Sequence, residues 1–569
     1  MQTKIVSGRK FFIYIVFSCL FSILFVRLCY IQFFRSNFLR EIASKQHSAV
    51  VEIEPYRGAI LDANLSPLAV NIPADSLFAV PKEIKDKPRA AKSLSDILDY
   101  DYQAIYERLS RPKSFIWIAR KLTPDVVARI KKLDIDGLGF IKESKRSYPN
   151  GELCSNLLGF AGLDNVGLEG LELFYNEQLA GKKGWSEFLR DARQRKLIET
   201  NILPAKDGFS LVLNIDEVIQ FIAETELKKA YEKFHAKGAS IIVMEPATGR
   251  ILAMANLPTY NPNNFKTSLP EERKNRAICD FFEPGSVFKI VTATAALQEN
   301  KVKETDKFFC ENGQYRVANH ILHDHTSHGW LTFTGVISES SNIGTTKIAQ
   351  TLGPQLIYKY ANLYGFGQVL GVDLRGEVKG ILKPLRQWSK TSIGAVPIGQ
   401  EVCVTALQLA SAISVVANGG SLMRPYIVDS VIDENKNEIK KNYPVIIRQV
   451  MTKETSQRLK DILVDVVENG TGKLAKIPSV KVAGKTGTAQ KVEANGTYSH
   501  TKFVGTFIGF APADNPKVAI TVTFDEPHPY YGGVVAAPVF KEVASQALRY
   551  MESRNLNGGV LYEAKKTSR

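Results

Sequence analysis

Three short segments carry side chains able to activate a serine. The first is Glu283-Pro284-Gly285-Ser286-Val287-Phe288-Lys289. Pro284 and Gly285 interrupt the preceding structure, and the Ala-rich run from Ile290 to Leu297 predicts a buried helix. Ser286 then sits at its N-terminus, with Lys289 one turn on and on the same face. A lysine in so apolar a helix is costly unless it has partners or loses its proton. A neutral amine beside a hydroxyl is a general base for a serine nucleophile, and the helix N-terminus favours the oxyanion that forms. The second segment is Ser340-Ser341-Asn342, which offers a hydroxyl relay and an amide able to hold a substrate amide or the neutral lysine. The third is Lys485-Thr486-Gly487-Thr488, inside an extended stretch from Val480 to Ala489. A glycine there admits the backbone of a peptide laid along the strand, Lys485 supplies charge for a carboxylate, and Thr486 and Thr488 supply hydroxyls.

Taken singly, each segment has an ordinary explanation. Ser286 reads equally as a helix cap followed by a surface lysine, Ser340 to Asn342 as a cap or turn, and Lys485 as a charge guarding an exposed strand edge. One rival is excluded outright. Gly484-Lys485-Thr486 looks like the tail of a phosphate-binding loop, but the glycine required five residues before Gly484 is Ser479. A histidine-rich run, His320, His323, Asp324, His325 and His328, makes a zinc site conceivable; without a cysteine in the run, a surface loop is the expectation and no metal is assigned.

The elements that must position these residues begin near Asp207-Gly208. Phe209 to Leu213 predicts a strand leading into a new domain, and Asp216 to Phe234 an amphipathic helix with Ile219, Ile222, Ala223, Leu227, Ala230, Tyr231 and Phe234 on one face. Ala239 to Met244 and Ile251 to Ala255 flank the turn Pro246-Ala247-Thr248-Gly249, and Phe503 to Phe510 and Val518 to Phe524 flank Ala513-Asp514-Asn515-Pro516. With Val480 to Ala489 these make five strands around helix-rich sequence, which predicts an α+β domain: an antiparallel sheet with helices on its faces. From about Lys45 to Lys206 no catalytic constellation is visible, and the region reads as a scaffold.

At 569 residues the chain holds several domains, and 44% hydrophobic with 23% charged residues is globular. The net charge of +15 is scattered, with no basic run interleaved with aromatics, so nucleic-acid binding is not expected. Arg9 and Lys10 precede an uncharged run from Phe11 to Val26; with Arg27 snorkelling, Phe11 to Phe34 is long enough to span a membrane. The run ends in Val-Arg-Leu-Cys-Tyr rather than a small-residue cleavage site, which favours an uncleaved signal anchor with the bulk outside the cytoplasm. Six cysteines form no framework; whether Cys279 and Cys310 pair stays open.

The order of the three segments resembles the class B penicillin-binding proteins. The likeness extends over nearly the whole chain. It includes Arg57-Gly58-Ala59-Ile60 with Asp62, Arg146-Ser147-Tyr148-Pro149, Gly167-Leu168-Glu169, Asn275-Arg276-Ala277, Ile398-Gly399-Gln400, Val404 to Ala410 and Ala417-Asn418-Gly419-Gly420. Tyr531-Gly532-Gly533 to Phe540 looks most like the septal, cell-division subclass. Ala63-Asn64 and Gln400-Glu401 depart from the family pattern, which often has Arg-Asn and Gly after Gln.

The resemblance implies a penicillin-binding/serine β-lactamase-like transpeptidase domain at 207–553 on a mixed α/β pedestal or dimerisation-like domain at 45–206. It also implies an anchor at 11–34, a cytoplasmic tail at 1–10 and a C-terminal tail at 554–569. It further implies a peptidoglycan D,D-transpeptidase of the cytoplasmic membrane, facing the periplasm and trapped by β-lactams. Stem peptides are the substrate, and a membrane glycosyltransferase and other division proteins are partners. Ser286 would be the nucleophile, Lys289 its base, and Ser340, Asn342 and Lys485 the relay and donor-holding groups. The backbone N–H groups of Ser286 and Thr488 would form the oxyanion hole beside Thr486 and Gly487. No cofactor or metal is implied. The alternatives are an elongation-type transpeptidase, a D,D-carboxypeptidase that passes the acyl group to water, and a non-catalytic β-lactam sensor or divisome scaffold. A β-lactamase would have no use for the anchor and the long scaffold.

Overall fold

The two faces of Ala239-Ser240-Ile241-Ile242-Val243-Met244 are both apolar, as a strand buried on either side requires. In the computed structural model, which describes residues 2–39, 48–190, 196–493 and 495–566, this segment is β1 (Gly238–Met244). It turns at Gly249, held at φ +81°, into β2 (Ile251–Leu257). Three further strands follow late in the chain: β3 (Ala483–Val492), β4 (Tyr498–Ala511) and β5 (Val518–Asp525). They close an antiparallel five-stranded sheet in the order β2-β1-β5-β4-β3. β3, which carries Lys485 to Thr488, is therefore an edge.

Strand alternation divides the core in two. Ile241, Val243, Phe507, Ile520, Val522 and Phe524 pack against α1 (Glu217–Lys233) and α6 (Ala537–Lys566) on one face. Ile242, Met244, Met254, Ile508 and Phe510 face α2 (Lys289–Gln298), α3 (Asn342–Leu352), α4 (Ala406–Ala417) and α5 (Lys453–Glu468). Every residue of α4 is buried, the polar Gln408, Ser411 and Ser414 among its mostly apolar side chains. It starts at a capping box, with Thr405 Oγ1 accepting from Gln408 N and Gln408 Oε1 from Thr405 N.

The expected lead-in strand behaves differently. Ser210–Leu213 runs parallel to Ile60–Leu61 and antiparallel to Val428–Ile432, inside a seven-stranded sheet. Its partners are far away in sequence, so local pattern gave no sign of them. Beside that sheet, Glu172 is fully buried and accepts from Arg57 Nε at 2.5 Å, Arg146 Nε at 2.6 Å and Tyr148 Oη at 3.2 Å. Burial pushes the Glu172 carboxyl up, but Arg146 and Arg57 outweigh it and hold it below the usual carboxylate range.

The chain divides into two bodies, Met1–Tyr56 with Gly181–Asp207 and Arg57–Ala180 with Gly208–Arg569. The expected 45–206 segment is thus shared between them. The first body holds a helix, Gln2–Cys29, continued by a π-helical turn, Tyr30–Phe34. Gly8–Phe34 is long and apolar enough to cross a membrane. The same body holds an antiparallel sheet of Ser48–Ile53, Gly184–Arg190 and Lys196–Leu203.

Candidate active site

Ser286 lies in a 3₁₀ turn, Gly285–Phe288, that feeds directly into α2. The sequence suggested an α-helical first turn; the tighter one follows from crowding. Gly285 has φ +54°, and a Cβ built on it would lie 2.8 Å from Thr488 O of β3. A Cβ on Gly487 would lie 2.9 Å from Pro284 O, and one on Gly399 would collide with Gly285 O. Gly285 N donates to Gly399 O at 3.2 Å. The turn that carries Ser286 is thus pressed between β3 and the 399 loop, and glycine is what permits each approach.

The lysines meet at Ser340. Lys289 is fully buried, and its Nζ donates to Ser340 O at 2.5 Å and Asn342 Oδ1 at 2.8 Å, with Ser340 Oγ at 3.2 Å. Lys485 is also fully buried, and its Nζ donates to Ser340 Oγ at 2.9 Å and Thr486 O at 3.2 Å. An exposed-edge role for Lys485 is excluded by that burial. Burial pulls Lys289 well below the usual lysine range and the charge of Lys485 adds to this, while Asp324 opposes it. Burial alone brings Lys485 down to about 7. Two amines poised to lose protons therefore share one hydroxyl, the arrangement a proton relay needs.

The Ser286 hydroxyl itself makes no hydrogen bond to another described residue; Lys289, expected to hold it directly, spends its hydrogen bonds on Ser340 and Asn342. Such bonds commonly close only when substrate is bound. Ser341, by contrast, takes the capping role, its Oγ accepting from Gly344 N at 2.9 Å. On β3, Thr486 Oγ1 is 2.8 Å from Thr471 Oγ1, and Thr488 Oγ1 accepts from Gly532 N at 3.1 Å.

The histidine run turns out to border the site. His320–His323 pairs with Gln314–Val317 as a hairpin, and His323 O accepts from Asn342 Nδ2 at 2.9 Å. Asp324 accepts from Ser341 Oγ, Asn342 N and Ile343 N. The ring of His325 lies 5.1 Å from that of Tyr531. Among the described residues no group of three or more His, Cys, Asp or Glu side chains is placed to hold a metal, and the six cysteines are free. Thr471 gives no sequence signal for the site, while Asp324 stands only within the histidine run and Gly532 only within the family likeness, because each reaches the site across the fold.

A family model described as the penicillin binding protein transpeptidase domain matches residues 239–545, and one for the penicillin-binding protein dimerisation domain matches residues 52–213. Stage V sporulation protein D of Bacillus subtilis is 36% identical over 95% of this chain and 86% of its own length. Peptidoglycan D,D-transpeptidase FtsI of Escherichia coli is 32% identical over 92% of this chain and 89% of its own. A crystal structure of penicillin binding protein 3 from Mycobacterium tuberculosis, complexed with aztreonam, is 28% identical with a TM-score of 0.70, covering 88% of this chain and 97% of that one.

Proposed function

The chain belongs to the penicillin-binding protein transpeptidase family, and on that premise we propose that it is a peptidoglycan D,D-transpeptidase acting through an acyl-enzyme on Ser286. The observation that carries the reading is the convergence of the buried Lys289 and Lys485 with the half-buried Ser340 and Asn342 in one hydrogen-bonded cluster beside the Ser286 turn.

Ser286 Oγ attacks the carbonyl carbon between the two terminal D-alanines of a stem peptide while neutral Lys289 takes its proton. The backbone N–H groups of Ser286 and Thr488 receive the oxyanion. The C–N bond then breaks, and the departing D-alanine nitrogen takes a proton passed along Ser340, between the two lysines. Asn342 holds Lys289 through its Oδ1, and Lys485 steers the donor carboxylate, beside Thr486 and Gly487. An amine of a second stem peptide attacks the ester carbonyl, its proton returns to the relay, and Ser286 is freed with a crosslink made. A β-lactam opens on the same serine and stays.

The septal assignment draws on the likeness to FtsI and on the ending Tyr531-Gly532-Gly533. In this reading the helix at 11–34 is a single-pass anchor, 45–206 a pedestal, and 207–553 a catalytic domain on the extracytoplasmic side. A membrane glycosyltransferase and other division proteins are the partners. The test supplies solubilised full-length chain with a stem pentapeptide and an amine acceptor: released D-alanine matched by crosslinked product supports the reading, and product that persists in Ser286→Ala refutes it. D-alanine released without crosslink marks a carboxypeptidase. Depletion in cells separates septal duty, which gives filaments, from elongation, which gives rounded cells.

A further inference from the structure

Asp324, from the histidine run, meets the site at one carboxylate. Its Oδ2 accepts from Ser341 Oγ at 2.6 Å, and its Oδ1 accepts from Asn342 N at 2.6 Å and Ile343 N at 3.0 Å. Those two N–H groups are among the donors that the first turn of α3 leaves without helical partners, and a negative charge there also suits the helix dipole. A carboxylate from a distant segment thus fixes the backbone of the very residues that surround Lys289.

The residue before it fixes the amide. His323 O takes the Asn342 Nδ2 donor at 2.9 Å, so Asn342 Oδ1 is left to face Lys289 Nζ at 2.8 Å. Ser340, immediately before the clamped residues, offers its carbonyl at 2.5 Å and its hydroxyl at 3.2 Å to the same amine. Each hydrogen bond that Lys289 makes therefore runs to a segment held in place from Asp324 and its neighbour.

We propose that Asp324 is a positioning residue for Lys289, acting through the Ser340–Asn342 segment; the proposal rests on the reading of Ser286 as nucleophile. The charge of Asp324 also reaches Lys289 and the Cys310 thiol, and Lys347 bears on that thiol in turn. His323 and His325 flank Asp324 along the chain, and Lys485 faces Lys289 from β3. Because the carboxylate favours the protonated amine, its loss moves the acid limb of Ser286 acylation to lower pH.

The test measures, with solubilised full-length chain and labelled penicillin, the acylation rate constant and the noncovalent affinity across pH. Asp324→Ala is expected to lower the rate constant about 100-fold with affinity little changed, as a base displaced by about 1 Å would. Asp324→Asn, which keeps an acceptor for Asn342 N, recovers most of that rate but shows the acid limb shifted to lower pH. A rate within about twofold of the parent in the alanine chain, or an asparagine profile superimposable on the parent's, overturns the proposal. If the alanine chain does not fold, the pH limb of the asparagine chain decides alone. Ser286→Ala runs alongside: label surviving there refutes the nucleophile itself, whereas label lost there with Asp324 variants unchanged refutes this inference only.

Discussion

Lys289 is held by both oxygens of Ser340, the carbonyl at 2.5 Å and the hydroxyl at 3.2 Å, and Ser340 reaches that pose with φ at +60°. A side-chain-bearing residue adopts this backbone only under constraint, at a cost of about 1–3 kcal/mol. The strain brings a carbonyl to Lys289 and a hydroxyl between the two lysines.

Removing that hydroxyl alone isolates the relay. Ser340→Ala keeps the carbonyl bond to Lys289 but breaks the link from Lys485 Nζ at 2.9 Å. Penicillin acylation is expected to fall by about 100-fold or more, the usual worth of a positioned proton carrier. Stopped-flow labelling of the two chains checks it; equal rates would remove Ser340 from the chemistry.

Gly487→Ala addresses the crowding around the nucleophile. The new Cβ would lie 2.9 Å from Pro284 O and from Val287 Cγ1, so the Ser286 turn must shift. Acylation is expected to drop about 100-fold, with a modest fall in melting temperature because the clash is with backbone and a buried side chain. Gly399→Ala, at φ +83° and against Gly285 O, is expected to lower the melting temperature as well.

Burial of Lys485 predicts a pH signature in stability. The folded amine is neutral above about 7, whereas the unfolded one stays protonated to about 10.4. Between those values the unfolded chain binds the extra proton, so rising pH stabilises the fold, by up to about 1.4 kcal/mol per pH unit for this group. Lys485→Met lacks this contribution. The melting temperature of the parent minus that of the variant should climb from pH 7 to pH 9, followed by scanning calorimetry; a flat difference would contradict it.

The buried Arg57–Glu172–Arg146 cluster is expected to contribute stability rather than chemistry. Glu172→Ala leaves Arg57 and Arg146 buried without their carboxylate. A loss of about 3–5 kcal/mol is expected in denaturant titrations, with penicillin acylation unchanged well below the transition.

Sequence legibility followed the range of the interactions involved. The hairpin of β1 and β2, the helix at Glu217–Lys233 and the late strands were readable because alternation, periodicity and turn residues are local. Ser210–Leu213 was readable as a strand but not in its sheet, because Ile60 and Val428 lie far along the chain. Lys289 stands out as a lysine in an apolar helix, whereas Ser286 and Lys485 are legible only through the order of their motifs; burial of both lysines is what the sequence does not show for Lys485. The 3₁₀ turn at Ser286, the left-handed Ser340 and the grip of Asp324 were hidden, since each is imposed by backbone arriving from elsewhere.

The central claim is that Ser286 Oγ is the atom acylated. Incubating membranes carrying the full chain with penicillin, digesting, and mapping the adduct by mass spectrometry tests it directly. The account predicts one stoichiometric penicilloyl group on the peptide containing Ser286, absent in Ser286→Ala. An adduct on any other residue, or one retained in the alanine chain, would contradict it.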